Sequence, residues 1–119
     1  MKVGNQTVGA RLRIVVAPGI AIGPGKAALL EGIKETGSIS AAARRMGMSY
    51  KRAWYLVETM NGHFSKPLVA SMKGGRAGGG ARLTRLGEEI LTAFREMERL
   101  SETAIAPVMR RLRRKAESL

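Results

Sequence analysis

Ser49, Tyr50, Lys51, Arg52 and Tyr55 fall within seven residues and together carry three hydroxyls, an ammonium and a guanidinium. Side chains of this kind donate hydrogen bonds to phosphate oxygens, carbonyls and ring nitrogens, arginine as a two-pronged fork. More cations stand close by in the chain: Arg44 and Arg45 before the group, and Lys73, Arg76 and Arg82 after it. From residue 38 to residue 85 there are nine bases against one acid, Glu58, a net +8 of the chain's +12. Residues 24–37 balance, and residues 86–119 carry seven bases against six acids. Charge spread only for solubility would not be concentrated in this way, so the stretch expects a polyanion.

Catalytic constellations are missing. One histidine, His63, has no metal-type partner near it in sequence, and there is no cysteine, so neither a metal site nor a cofactor is expected. Gly25-Lys26 suggests a phosphate loop, but that motif needs glycine where Ile20 stands and Ser or Thr where Ala27 stands. The acids cluster late, as Glu88, Glu89, Glu96, Glu98 and Glu102 among Arg95 and Arg99, which fits solvated helix faces rather than paired carboxylates. An enzyme is not expected. A length of 119 residues with 45% hydrophobic content suits one small folded unit. Arg11 and Arg13 interrupt the early apolar residues, so neither a signal peptide nor a membrane span is expected, and the default is a soluble cytoplasmic protein.

The elements that must position these donors can be read from period and punctuation. Residues 1–10 form a loose lead-in, and residues 11–17 read as one strand stopped by Pro18-Gly19. A helix over 24–36 turns Leu29, Leu30 and Ile33 inward and ends at Gly37. Ser38 and Ser40 are alternative caps for a short helix over 41–46, which Gly47 ends. Ser49 caps a third helix over about 50–61. Ala53, Val57, Met60 and Phe64 share one of its faces, and Lys51, Arg52, Tyr55 and Glu58 lie towards the other. Trp54 sits between the two faces and is expected to pack more than to wall a groove. Residues 68–73 and 81–85 are short strands joined by a link with five glycines in seven residues.

Thr84 caps a long last helix whose apolar stripe is Leu86, Ile90, Phe94, Met97 and Leu100, read as a dimer interface. Pro107 is expected to kink or end that helix. The fold class is therefore mostly α with a small β wing: a winged helix-turn-helix over 11–85, then a helical dimerisation arm with a basic tail over 86–119. In such a fold the exposed N-terminal turns of the second helix meet base edges in a major groove, which assigns base reading to Ser49, Tyr50, Lys51, Arg52 and Tyr55.

Gly37-Ser-Ile-Ser40, Gly47-Met-Ser-Tyr-Lys51, Ala53-Trp54, Glu58-Thr-Met-Asn61 and the glycine-rich run from Gly74 to Thr84 resemble the N-terminal DNA-binding domain of the molybdate-responsive ModE regulators. That domain is itself similar to the LysR-type helix-turn-helix. The resemblance covers about residues 11–105. It implies a sequence-specific regulator that binds a palindromic operator in double-stranded DNA as a homodimer, with the long helix pairing across the two-fold axis. The molybdate-binding domains of that family have no counterpart in the 119 residues, so no small-molecule effector site is expected here.

The supporting contacts keep two readings. Arg44 and Arg45 either meet phosphates or form a solvated face, and Ser38 and Ser40 either approach a phosphate or only cap. Arg76, with Lys73 and Arg82 at the base of the wing, is the strongest backbone or minor-groove candidate. The tail over 110–115, with five bases in six residues, either touches DNA or an acidic partner or keeps the terminus soluble. The alternative function is an architectural protein that coats DNA without an operator.

Overall fold

The computed structural model describes residues 8–72 and 80–117. The lead-in at 1–7 and the wing tip at 73–79, with Lys73 and Arg76, lie outside the described residues. The chain runs β1 (Ile14–Ala17), β2 (Ile20–Ile22), α1 (Pro24–Thr36), α2 (Ile39–Met46), α3 (Tyr50–His63), β3 (Val69–Met72), β4 (Gly80–Leu83) and α4 (Arg85–Glu117). It is a winged helix-turn-helix: three helices, a β3–β4 hairpin and a long closing helix.

The start of the chain differs from the expected single strand. Pro18-Gly19 ends β1 at Ala17 as expected but also turns the chain back, with Gly19 at φ 78°, so that an unexpected second strand, β2, pairs antiparallel with β1. Proline pre-sets the second turn residue, and glycine supplies the left-handed third.

Local signals set the helices. Pro24 opens α1, and Gly37 closes it at φ 72°, its N–H donating to the Ile33 carbonyl. Of the two candidate caps for α2, Ser38 is used: its side chain accepts from the Ala41 N–H at 3.0 Å, and the helix begins at Ile39 rather than Ala41. Gly47, at φ 68°, ends α2, and Ser49 caps α3 by accepting from the Arg52 N–H at 3.1 Å. Three residues therefore separate the two helices, which fixes their crossing.

One core joins all these parts. Leu29, Leu30 and Ile33 of α1, Ala42 and Ala43 of α2, and Ala53, Val57 and Met60 of α3 are buried with Leu68, Val69, Ala81 and Leu83 of the hairpin. Leu91 and Phe94 of α4 close it, Phe94 at 0% exposure. Burying a side chain of that size removes about 1.5–3 kcal/mol of apolar exposure. Close helix contact needs a missing side chain: a Cβ on Gly32 of α1 would stand 2.9 Å from the Ala42 Cβ.

The hairpin base is pinned on three sides. Asn61 of α3 donates to the Val69 carbonyl at 3.1 Å and accepts from the Leu68 and Val69 N–H groups at 2.8 and 3.1 Å. The Ala81 N–H donates to the Gly37 carbonyl at 2.9 Å. On the last side, the Thr84 N–H donates to the Leu68 carbonyl at 2.9 Å. The Thr84 hydroxyl donates to the Pro67 carbonyl and accepts from the Gly87 N–H, so one residue ties β3 to the start of α4.

Ion pairs hold α1 to α4. Lys34 meets Glu88 at 2.9 Å, and this hydrogen bond and charge raise the lysine above its ordinary pKa. Arg95 of α4 meets Glu31 of α1 at 2.8 Å and, within α4 itself, Glu98 at 2.9 Å. Burial pulls the Arg95 guanidinium down, yet its two carboxylate partners outweigh this and raise it.

The helix α4 spans 33 residues, roughly 50 Å at 1.5 Å per residue. Of the two expected effects of Pro107, an end to the helix is not seen: α4 continues through it. A proline inside a helix costs about 3 kcal/mol, but its neighbours Ala104, Ala106 and Met109 favour helix. Pro107 and Thr103, whose carbonyl loses a donor, both lie on exposed helix where water can serve.

Candidate nucleic-acid interface

The outer side of α3 is where the donors gather. Buried Ala53, Val57 and Met60 dock one side of the helix, at 0, 4 and 2% exposure. Lys51, Arg52, Tyr50 and Tyr55 are exposed on the rest of its circumference, the tyrosines at 55 and 61%. Ser49 is also exposed, but its hydroxyl oxygen is engaged as the cap. The first turns of α3 thus present two cations and two phenols beside the positive end of the helix dipole. A helix held this way offers hydrogen-bond donors to acceptor-rich edges.

The supporting residues divide. Arg44 and Arg45 are exposed at the C-terminal end of α2, yet both have partners within the protein. Arg44 donates to the Ser40 hydroxyl at 3.1 Å, and Arg45 pairs with Glu35 of α1. Ser38 and Ser40 are therefore occupied as cap and as acceptor, respectively. Arg82 is exposed on β4, opposite Ala70. Lys73 and Arg76 lie outside the described residues.

The apolar stripe of α4 is only partly a surface. Phe94 belongs wholly to the core of its own chain, and Leu86, Ile90 and Met97 pack partly buried against that core. Leu100 stands out at 58% exposure, and Val108 and Leu112, at 46 and 60%, continue the exposed apolar side. The expected interface residues are therefore divided between intramolecular packing and open surface.

Trp54, read as lying between the docked and the free face, is 47% exposed, so it is as much open surface as packing. Two residues escaped the sequence reading. Asn61 and Gly87 fix the hairpin. The Gly87 backbone lies so close to β3 that an added Cβ would stand 2.1 Å from the Leu68 carbonyl oxygen. An amide near the end of an amphipathic helix is the one local hint of the Asn61 clamp. Among the described residues no group of three or more His, Cys, Asp or Glu could hold a metal, and no helix is long and apolar enough to cross a membrane.

A short capped helix, a glycine turn, an outward basic helix and a pinned hairpin define a DNA-binding winged helix-turn-helix. The chain belongs to the lysR family of bacterial regulatory helix-turn-helix proteins, which it matches over residues 26–88. It is 46% identical over 89 residues to the molybdenum-pterin-binding protein MopB of Rhodobacter capsulatus, covering 75% of this chain and 33% of that one. It is 38% identical over 103 residues to the molybdenum transport protein ModE of Azotobacter vinelandii, covering 87 and 38%. To the DNA-binding transcriptional dual regulator ModE of Escherichia coli it is 37% identical over 81 residues, covering 68 and 31%. The chain spans about a third of the length of these curated relatives.

Proposed function

We propose that the chain is a cytoplasmic, sequence-specific transcriptional regulator that binds an inverted-repeat operator as a homodimer. One observation carries this reading: Lys51, Arg52 and Tyr55 stand exposed on a helix whose opposite side is fully docked. A B-DNA major groove accepts one such helix, and arginine or lysine pairs with guanine there. Phosphate contacts from Arg44, Arg45, Arg82 and the wing cations Lys73 and Arg76 then set orientation and most of the affinity.

The second copy docks on the exposed part of α4 around Leu100, within the arm over 86–119. Two-fold symmetry then places half-sites about one helical turn, ~10 base pairs, or a multiple of it apart. Because the similarity to the molybdenum-linked regulators covers about a third of their length, the DNA-binding step is what carries over from them.

A gel shift on a duplex selected from a random pool tests the reading. Lys51→Ala with Arg52→Ala should lose at least about tenfold on the selected duplex, since a good base contact is worth about 1–3 kcal/mol. Arg82→Ala should weaken selected and unselected duplexes alike. Unchanged binding by the double variant contradicts the groove assignment. A chain that bulk DNA competes away completely is instead a non-specific coat.

A further inference from the structure

We infer that Trp54, with Tyr50 beside it, forms an apolar ridge that recognises thymine through its C5-methyl group. This rests on the reading above, in which α3 enters the major groove. Trp54 is the chain's sole tryptophan, 47% exposed, and Tyr50, four residues earlier and 55% exposed, lies on the same side of α3. The helix is not loosely seated there, because Ala53 and Val57 are 0 and 4% exposed. The aromatic surface is therefore left open on an element that is otherwise firmly packed.

Helix geometry says which way the ridge faces. Asn61 follows Trp54 by seven residues, so the two lie within about 20° of one another around α3. Asn61 bonds the backbone of Leu68 and Val69 at the base of the hairpin. Trp54 thus occupies the hairpin side of α3, two turns nearer the end that enters the groove. A DNA strand running between the inserted helix and the hairpin meets this ridge. The polar edges are left to Lys51, Arg52 and Tyr55, on other parts of the circumference. In the major groove the apolar feature that distinguishes one base from the rest is the thymine methyl, and an indole face is matched to it.

The test uses the full chain and the duplex that it selects from a random pool, in versions with each half-site thymine replaced by deoxyuridine. Tryptophan emission, which reports Trp54 alone, is expected to shift on saturation with the duplex. At one or more positions, loss of the methyl should weaken binding by roughly fourfold, the equivalent of one buried methyl. The same replacement should cost Trp54→Ala nothing, and circular dichroism should show that variant folded. Unchanged emission at full binding overturns the inference, as does a deoxyuridine penalty equal in native chain and Trp54→Ala. If no duplex is selected, the groove reading fails first and this inference falls with it; selection with unchanged emission sinks the inference alone.

Discussion

Asn61 and Val69 are joined in both directions: the side-chain amide of Asn61 donates to the Val69 carbonyl at 3.1 Å, and its oxygen accepts from the Val69 N–H at 3.1 Å. With the Leu68 N–H at 2.8 Å, one side chain completes the backbone bonding at the start of the wing. The orientation of the hairpin relative to α3 depends on this clamp.

Asn61→Ala should therefore destabilise the fold by about 2–3 kcal/mol, at roughly 1 kcal/mol for each partly buried hydrogen bond lost. Urea unfolding measures the change. A loss within about 0.5 kcal/mol would mean that water replaces the amide without penalty.

Gly87→Ala offers a sharper contrast, because intrinsic helix propensity and the tertiary contact oppose each other. In an exposed helix the change would stabilise by about 1 kcal/mol. Here the new Cβ would stand 2.1 Å from the Leu68 carbonyl oxygen, which is backbone and cannot swing away. The steric effect wins: a net loss of about 2 kcal/mol or more is expected, since strand and helix must separate. Thermal unfolding gives the sign directly.

Arg45 is held by Glu35, with both side chains about half exposed. Such pairs contribute about 0–1 kcal/mol, so the arginine can exchange its partner for a phosphate. Glu35→Gln should leave stability within about 1 kcal/mol, tighten binding to selected and unselected duplexes alike, and steepen the salt dependence. An unchanged salt slope would take Arg45 out of the phosphate-contacting set.

Phe94 and Leu100 lie six residues apart on α4 and should fail differently. Phe94→Ala empties the core and should cost about 3–5 kcal/mol. Leu100→Glu sits on open surface, so the fold should survive while sedimentation shows a shift from dimer to monomer. A folded dimer carrying Glu at position 100 would move the interface elsewhere.

How far the sequence could be read depended on whether a feature is local. The caps Ser49 and Thr84, the terminators Gly37 and Gly47, and the inward row Ala53, Val57 and Met60 all act within a few residues, and each was visible in advance. A three-residue strand such as β2 has too little length to show a period, and Pro18-Gly19 is punctuation equally suited to an end or a reversal. The Asn61 clamp and the Gly87 approach join different elements, so no periodicity encodes them. Trp54 sits at the rim between docked and free helix, where its exposure depends on how the hairpin is placed. The α4 stripe was legible as apolar, but spacing does not tell a chain's own core from the surface of a second copy, and Phe94 belongs to the former.

The uninterrupted run of α4 through Pro107 makes it a lever with a phase. Whatever grips its far end holds the DNA-reading head at a rotation set by residue count. Inserting one residue between positions 98 and 100 would turn the grip around Leu100 by about 100° and advance it by about 1.5 Å, while inserting four leaves only about 40° of rotation. Two heads joined through such levers would be dialled against the turn of the duplex itself, so their angular setting would be written in the length of a helix that lies outside the helix-turn-helix.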